Sequence, residues 1–257
     1  MSAPYSYTMR PPDGPILGLV ALQSDQTIEG DLRRMFPVGA EFYVSRVPSA
    51  ATVSSNSLAE MEGHLAQAAS LLPPQVRYDV VGYGCTSGTA QIGADTIAVQ
   101  VRAGTRAQAV TEPVSALVAA CGALDINTLA VLSPYVAEVS ANLRKALAKS
   151  GIETPVFGSF DEAEEARVVR IDSASVQAAA LDLMQEADVD GLFLSCTNLR
   201  TLDVIKPLED ALGVPVLSSN LVMGWHMARL SGLSLASGES AGFARGRLFG
   251  RPLLPSA

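Results

Sequence analysis

Two cysteines occupy matching places in two similar segments of the sequence. Residues 79–85 read DVVGYGC and end at Cys85, and residues 190–196 read DGLFLSC and end at Cys196. In each segment a hydrophobic run precedes the cysteine and a small polar turn follows it. Each thiol is therefore predicted to lie at the carboxyl end of a strand, facing the amino end of a helix. Such a position lowers the pKa of a thiol.

Two thiols that face each other across a cleft can act on opposite sides of one substrate carbon. A thiolate removes a proton from one face and a thiol returns a proton to the other, without a metal or a cofactor. The turns after the cysteines would present N–H groups, hydroxyls and an amide to a substrate carboxylate, which stabilises the enediolate formed when the neighbouring carbon loses a proton. The pattern indicates racemase or isomerase chemistry. The turn residues that matter are Thr86 and Ser87 after the first cysteine, and Thr197 and Asn198 after the second.

The composition excludes several other classes of protein. A formal net charge of -8 argues against a nucleic-acid partner, because phosphate binding needs clustered Lys and Arg. The amino terminus lacks an apolar core of signal-peptide length, and no apolar stretch has the length of a membrane span, so we expect a cytoplasmic protein without membrane contact. Three cysteines without framework spacing indicate reduced thiols. Cys121 lies in an alanine-rich helical pattern and is predicted to be inert core.

Recognisable cofactor motifs are missing from the sequence. The glycines of residues 82–88 have the spacing G-x-G-x-x-x-G, and no acidic residue clearly ends the next strand, so dinucleotide binding is disfavoured. The sequence contains no Walker motif, no cluster of metal ligands and no Gly-x-Ser-x-Gly elbow. We therefore expect chemistry without cofactor or metal.

Strand-like and helical patterns alternate along the chain, which predicts βαβ units and a mainly parallel sheet. The cysteine segments lie 111 positions apart (196 minus 85), close to half the chain. We predict two Rossmann-like α/β lobes related by approximate internal two-fold symmetry: residues 1–112 plus 220–257 with Cys85, and residues 113–219 with Cys196. The predicted strands are 16–22, 42–47, 79–84, 128–132, 191–195 and 215–217, and the predicted helices are 58–72, 113–124, 134–149, 175–187, 202–212 and 221–231.

The segment 190–219, with Cys196 near its start, resembles the aspartate/glutamate racemase superfamily, in particular the branch that contains maleate cis-trans isomerase and arylmalonate decarboxylase. Residues 22–29, with Gln23 and Asp25, are similar to the loop in which the maleate isomerases use an Asn to bind a substrate carboxylate. Tyr135 matches the family's active-site Tyr, and the stretch around Glu165 matches the one that carries a second carboxylate-binding Asn. The resemblance implies two Rossmann-like lobes with the site between them, and a homodimer or higher homo-oligomer.

The chain departs from that family pattern in two places. Asp25 stands where the resemblance implies an Asn in the first loop, and Glu164 and Glu165 lie near the position of the second Asn. A carboxylate that faces a substrate carboxylate is repulsive. A doubly charged substrate such as maleate is therefore disfavoured, and a small carboxylate of the amino-acid type is favoured.

Several functions remain open from the sequence. In a cis-trans isomerase the Cys85 thiolate would add to a double bond while Cys196 guards or donates the proton; in a racemase the two thiols would exchange a proton at Cα. Arylmalonate decarboxylase has Gly where this chain has Cys85, so decarboxylation is the second choice. A non-catalytic module that binds a small acid would need unreactive thiols.

Overall fold

A computed structural model describes residues 4–235 and 246–250. The first half forms a four-stranded parallel sheet with the strand order β2-β1-β3-β4. Strand β3 is buried and carries Cys85 at its carboxyl end. In chain order the elements of this half are β1 (Ile16–Leu22), α1 (Ile28–Met35), β2 (Glu41–Val47), α2 (Ser55–Glu60), α3 (Glu62–Ser70), β3 (Tyr78–Gly84), α4 (Thr86–Ile92), α5 (Ala94–Gly104) and β4 (Ala107–Thr111).

The second half repeats this topology. After helix α6 (Pro113–Leu124), four more parallel strands pair in the order β6-β5-β7-β8, which matches the first sheet position by position. The predicted fold class, with two similar parallel α/β units, is confirmed. The remaining elements are β5 (Thr128–Ser133), α7 (Ala137–Lys149), β6 (Glu153–Ser159), α8 (Glu165–Val168), α9 (Ser173–Leu183), β7 (Gly191–Leu194), α10 (Ile205–Leu212), β8 (Val216–Ser218), α11 (Ser219–Ser231) and a 3-10 turn (Arg247–Gly250).

The aspartates that open the two cysteine segments make equivalent contacts. Oδ2 of Asp79 accepts a hydrogen bond of 2.8 Å from the backbone N–H of Ile16 at the start of β1. Oδ2 of Asp190 accepts bonds of 2.8 Å from the N–H groups of Asn127 and Thr128 at the start of β5. Each aspartate therefore ties the central pair of strands in its sheet at their amino ends. Both cysteines lie at the opposite, carboxyl end of those strands.

Helix α11 connects the two halves. It follows β8 of the second sheet, yet it packs against β3, α1 and β4 of the first half and against α6. Gly82 of β3 allows this contact, because a Cβ atom there would clash with the side chain of Met223 on α11. The division at residues 113 and 219 stays a prediction, and its residues 236–245 and 251–257 lie outside the described part of the chain.

The helix predicted over residues 134–149 begins later than expected. Ser133 is the last residue of β5, and α7 begins at Ala137. The Ser133 hydroxyl accepts from the N–H of Tyr135 at 3.2 Å and from the Ser140 hydroxyl at 3.0 Å. Residues 134–136 therefore form a loop, and this loop carries Tyr135 to the cleft.

Other differences concern sheet edges and helix ends. Strands β4 and β6 were not predicted, because each is an edge strand with partly exposed side chains and weak apolar alternation. The single helix predicted over 58–72 is divided into α2 and α3, and the helix predicted from residue 202 begins at Ile205. Cys121 is buried on α6, as predicted.

Candidate active site

Both thiols border one small cavity at the carboxyl ends of the central strands. Cys85 comes directly after β3, and Cys196 comes two residues after β7. The volume open to the centre of a water molecule is about 10 Å³, which is room for about one water molecule. The cavity is lined by Leu22, Val53, Leu58, Cys85, Thr86, Ser87, Tyr135, Glu165, Cys196 and Thr197.

Cys85 has the predicted position at the start of a helix. It is the N-cap of α4, and its Sγ accepts a hydrogen bond of 3.1 Å from the N–H of Gly88. Burial nevertheless raises the pKa of the Cys85 thiol to about 12, although the Gly88 N–H and the Tyr83 hydroxyl act to lower it. The predicted lowering of this pKa is wrong, because the loss of hydration outweighs the favourable dipoles.

Cys196 has a different environment from the one predicted. No helix follows it directly, since α10 begins only at Ile205, and its backbone has φ +102°. This left-handed conformation is strained for a residue with a Cβ atom. Sγ accepts from the N–H of Asn198 at 3.3 Å and lies 3.0 Å from the Tyr135 hydroxyl. Burial and the charge of Glu165 raise the pKa of Cys196, so here too the predicted lowering is wrong.

Glu165 is a buried carboxyl group with both oxygens bonded. The Tyr135 hydroxyl donates to Oε1 at 2.5 Å, and Nδ2 of Asn198 donates to Oε2 at 2.6 Å. Oδ1 of Asn198 in turn accepts from the backbone N–H of Gln26 at 2.9 Å. Burial raises the pKa of Glu165, and its bonds with Tyr135 and Asn198 counteract that effect. Glu165 therefore orients the phenol and the amide beside Cys196.

Asp25 is buried at the start of α1. Its Oδ1 accepts hydrogen bonds from the N–H groups of Thr27 at 2.7 Å and Ile28 at 2.9 Å. Its Oδ2 is buried without a hydrogen-bond partner among the described residues. Burial raises the pKa of Asp25, and its charge acts to raise the pKa of both Cys85 and Cys196. Gln23, the other candidate in this loop, is exposed and does not line the cavity.

Thr86 and Thr197, the two predicted threonines, take part in hydrogen bonds that join the two cysteine turns. The Thr197 hydroxyl donates to the carbonyl of Gly84 at 3.2 Å, at the end of β3. The Thr86 hydroxyl bonds to Oγ of Ser219 at 2.7 Å, and the same Oγ accepts from the N–H of Cys196 at 3.0 Å. Ser219 thus links both cysteine turns, although it was not a predicted site residue. Its place directly after β8 is the signal that would have found it, because polar residues after parallel strands face the site.

The chain segment that covers the cavity was also not predicted from the sequence. The chain after β2 crosses to the second half, where the N–H of Val53 donates to the carbonyl of Ala163 at 2.9 Å and the N–H of Glu165 donates to the carbonyl of Ala51 at 3.0 Å. Leu58 of α2 completes the apolar side. Val53 and Leu58 therefore lie at the cavity beside the two buried thiols.

Residues 4–235 and 246–250 contain no group of three or more His, Cys, Asp or Glu placed to hold a metal ion. None of the helices in these ranges is long and apolar enough to cross a membrane.

Two similar parallel sheets, each with a cysteine at the end of its third strand in sequence, define a class of two-lobed α/β enzymes. Residues 59–249 match the arylmalonate decarboxylase family, and the chain belongs to this family. The arylmalonate decarboxylase of Bordetella bronchiseptica is 33% identical over 128 residues, which cover 49% of this chain and 52% of the relative. The match thus spans about half of that relative. The maleate isomerase of Nocardia farcinica is 26% identical over 232 residues, covering 86% of this chain and 91% of the relative.

Solved structures of both kinds of enzyme share the fold. The maleate isomerase from Pseudomonas putida S16 with maleate has a TM-score of 0.78 at 21% identity, covering 91% of this chain and 96% of that one. A Cys-to-Ser variant of the Nocardia farcinica maleate cis-trans isomerase, with a covalently bound succinylcysteine intermediate, has a TM-score of 0.74 at 25% identity, covering 91% and 97%. The predicted resemblance is confirmed, and so is the class of isomerase-like and decarboxylase-like enzymes.

Proposed function

We propose that this protein is a cofactor-independent isomerase of a small carboxylic acid, with Cys85 and Cys196 as the two reacting groups. The observation that carries the proposal is that one cavity receives a thiol from each half of the molecule. A single substrate carbon between them is reached from two sides, which is the requirement for inversion or for addition and elimination. The covalent cysteine intermediate of the Nocardia relative supports thiol chemistry.

The acid–base roles follow from the surroundings of each thiol. Cys85 has the N–H of Gly88 on its sulfur, which stabilises charge that develops there when it adds to a double bond or takes a proton. Cys196 has Tyr135 at hydrogen-bond distance and exchanges the second proton. Thr86, Ser87 and Thr197 line the space in which a substrate carboxylate would lie.

The substrate class follows from the buried carboxyl groups. Glu165 lines the cavity, and Asp25 is buried where its charge acts on both thiols. A second carboxylate of a substrate would add a further negative charge to this volume, which is costly away from water. A monocarboxylate with an amino group at the other end, as in an amino acid, complements the site. Entry requires the cover over the cavity to move, because the closed space holds about one water molecule.

Decarboxylation is the second candidate, because the family match carries the name of that activity. It needs one proton donor after carbon dioxide leaves. The second thiol, Cys85, favours isomerisation, since a decarboxylase has no use for an acid–base group on the opposite face.

The test is incubation of the purified full chain with amino acids, maleate and arylmalonates in deuterated water, with and without a chelator. Inversion with deuterium at Cα indicates proton exchange, cis-trans conversion indicates covalent addition, and release of carbon dioxide indicates the decarboxylase. Turnover should survive the chelator. Turnover that persists in the double Cys85→Ser, Cys196→Ser variant contradicts the proposal, and compounds that protect both thiols from alkylation but are never converted indicate a binding module.

The proposal includes the cytoplasmic location and the homodimer or higher homo-oligomer predicted from the sequence. The three free cysteines support a reducing location. Sedimentation of the full chain tests the oligomer: a monomer at assay concentration contradicts it.

A further inference from the structure

An unbroken chain of hydrogen bonds in the second half joins Cys196 to a buried carboxyl group. Sγ of Cys196 lies 3.0 Å from the hydroxyl oxygen of Tyr135, and that hydroxyl donates to Oε1 of Glu165 at 2.5 Å. All three side chains are buried. A phenol between a thiol and a carboxylate can receive a proton on one side while it gives up its own on the other.

We infer that Glu165 takes up the proton of Cys196 through Tyr135, so that the Cys196 thiolate forms without a change in the charge of the site. The S–H bond of Cys196 breaks and its proton binds the hydroxyl oxygen of Tyr135. The proton that Tyr135 carried then forms an O–H bond with Oε1 of Glu165, and the negative charge moves from the carboxylate to the sulfur. Glu165 acts on Cys196 only through Tyr135, and in this sense it is a positioning residue. The inference rests on the proposed function only in one respect: the proposed reaction is what uses the Cys196 thiolate.

The relay meets a need that burial creates. Burial raises the pKa of both Cys196 and Glu165, so the cavity resists a second negative charge. Simple loss of the Cys196 proton to water would leave a thiolate beside a carboxylate in a medium that stabilises neither. Transfer to Glu165 keeps one charge on the pair, and the two groups titrate as a unit.

The neighbouring charged groups affect both ends of the relay alike. The charge of Asp25 acts to raise the pKa of Glu165 and of Cys196. Arg46, which donates to the carbonyl of Asp25 at 2.7 Å, acts to lower the pKa of Asp25. Cys85, the other titratable group at this cavity, has a thiol whose pKa burial raises to about 12. Asp25 therefore opposes negative charge at both ends of the relay.

Tyr135 passes the proton on and does not keep it. Burial, followed by the charges of Cys196 and Glu165, raises the pKa of Tyr135 well above its usual value, so a phenolate is disfavoured. Asn198 holds the far oxygen of Glu165 at 2.6 Å, which keeps Oε1 turned toward the phenol. These contacts fix the geometry that a transfer of two protons requires.

The relay lies within one half of the molecule. Tyr135 follows β5, Glu165 opens α8 and Cys196 follows β7. A movement of residues 51–58 of the first half away from the cavity therefore leaves the contacts among the three relay members in place. This allows the relay to be tested by alkylation, without knowledge of the substrate.

The experiment is the pH dependence of Cys196 alkylation by iodoacetamide, in full chains whose other thiols are removed by Cys85→Ser and Cys121→Ala. Below its pKa an ordinary thiol reacts about tenfold faster per pH unit, because the thiolate is the nucleophile. With the relay we expect a rate that is nearly constant across neutral pH, since no proton leaves to solution. The rate falls in acid, where Glu165 takes a proton from water.

Two variants of the relay decide the outcome. In Glu165→Gln and in Tyr135→Phe, each made in the same background, we expect the slope of about tenfold per pH unit. Glu164→Gln is the matched control at the adjacent exposed glutamate, and it should keep the flat profile. A steep slope in the intact relay, or a flat profile in Glu165→Gln, overturns the inference.

The folded state of each variant is checked by circular dichroism. If Glu165→Gln does not fold, Tyr135→Phe alone decides: a steep slope supports the relay and a flat profile overturns it. The proposed function fails separately, through turnover without the cysteines, because alkylation is measured without substrate.

Discussion

Each half of the molecule contributes a half-site, which is its cysteine together with the residues that contact that cysteine. The two half-sites share a fold but place their thiols in different acid–base environments. In both halves a buried aspartate-anchored strand ends near a cysteine, and a phenol lies near the sulfur. In the first half the Tyr83 hydroxyl lies 3.8 Å from the thioether sulfur of Met61, which accepts a proton poorly. In the second half Tyr135 leads to the carboxyl group of Glu165. The same supersecondary unit therefore gives one thiol that accepts from the backbone N–H of Gly88 and one thiol that contacts the phenol of Tyr135.

In the proposed reaction, this difference gives the two thiols different roles. Cys85 accepts from the Gly88 N–H at the start of α4, and in the proposed reaction this contact would stabilise negative charge on its sulfur. Cys196 has no helix behind it and depends on Tyr135 and Glu165. An acid–base pair requires unlike partners, because one group must be deprotonated while the other is protonated.

The largest expected effect comes from removal of either thiol. Cys85→Ser and Cys196→Ser should each lower kcat by orders of magnitude on whichever compound is converted, because a serine hydroxyl remains protonated at neutral pH. The measurement is steady-state turnover. Cys121→Ala is the control: it should cost about 1 kcal/mol of stability or less and leave turnover unchanged. Near-normal turnover in Cys85→Ser would break the comparison, since one half-site would then suffice.

The second prediction concerns the carboxyl group of the first half. Asp25→Asn keeps an oxygen for the N–H groups of Thr27 and Ile28 but removes a negative charge beside both thiols. We expect relative efficiency to shift toward a dicarboxylate such as maleate by about tenfold or more, because a like-charge contact in a partly desolvated site costs several kcal/mol.

The measurement is kcat/KM for a dicarboxylate and for a monocarboxylate on both proteins. Asp95→Asn, at an exposed aspartate of α5, should change neither value. An unchanged ratio in Asp25→Asn would show that this carboxyl group serves the start of α1 and has no part in specificity.

The repeated segments could be predicted from sequence because strand, cysteine and turn are local patterns. Cys85 at the start of α4 follows directly from residues 79–88, and the parallel sheets follow from the alternation of strands and helices. The low pKa of the thiols was predicted from the helix position alone and is wrong. The residues that bury Cys85 and Cys196, and the carboxyl groups of Glu165 and Asp25 that also raise the pKa of both thiols, come from distant parts of the chain. No local pattern reports either effect.

The third prediction concerns backbone strain at the two cysteines. Glycine in place of alanine should raise the stability at one position and lower it at the other. Cys196 has φ +102°, whereas Cys85 has φ -153°. Glycine relieves a left-handed strain of about 1–3 kcal/mol but costs about 0.5–1 kcal/mol of chain entropy elsewhere. We therefore expect Cys196→Gly to be more stable than Cys196→Ala by about 1 kcal/mol, and Cys85→Gly to be less stable than Cys85→Ala.

The measurement is the free energy of unfolding in urea for the four variants. Each pair loses the same thiol and differs by one buried methyl group, so the comparison between the two pairs reports the backbone conformation. If Cys196→Gly is the less stable of its pair, the strain at the second half-site is absent.

The smallest expected effect is on stability and concerns Asp31, a buried carboxyl group of α1. Its Oδ2 accepts a hydrogen bond of 2.9 Å from Nδ2 of Asn220, near the start of α11. Burial raises the pKa of Asp31 from 3.8 to about 6. The folded state therefore binds more protons than the unfolded state between these values, and stability falls as pH rises through about 6. Asp31→Asn keeps the oxygen for Asn220 and removes this loss.

We expect Asp31→Asn to unfold with a free energy about 1–2 kcal/mol higher than wild type at neutral pH, since one pKa unit corresponds to about 1.4 kcal/mol. The difference should shrink below pH 6 and vanish only well below 3.8, where Asp31 is protonated in both states. Urea unfolding at several pH values measures it, with Asp188→Asn, at an exposed aspartate, as the control that should give no gap. A gap that is constant with pH would mean that packing of the new amide against Asn220, and not the buried charge, determines the stability of this contact between α1 and α11.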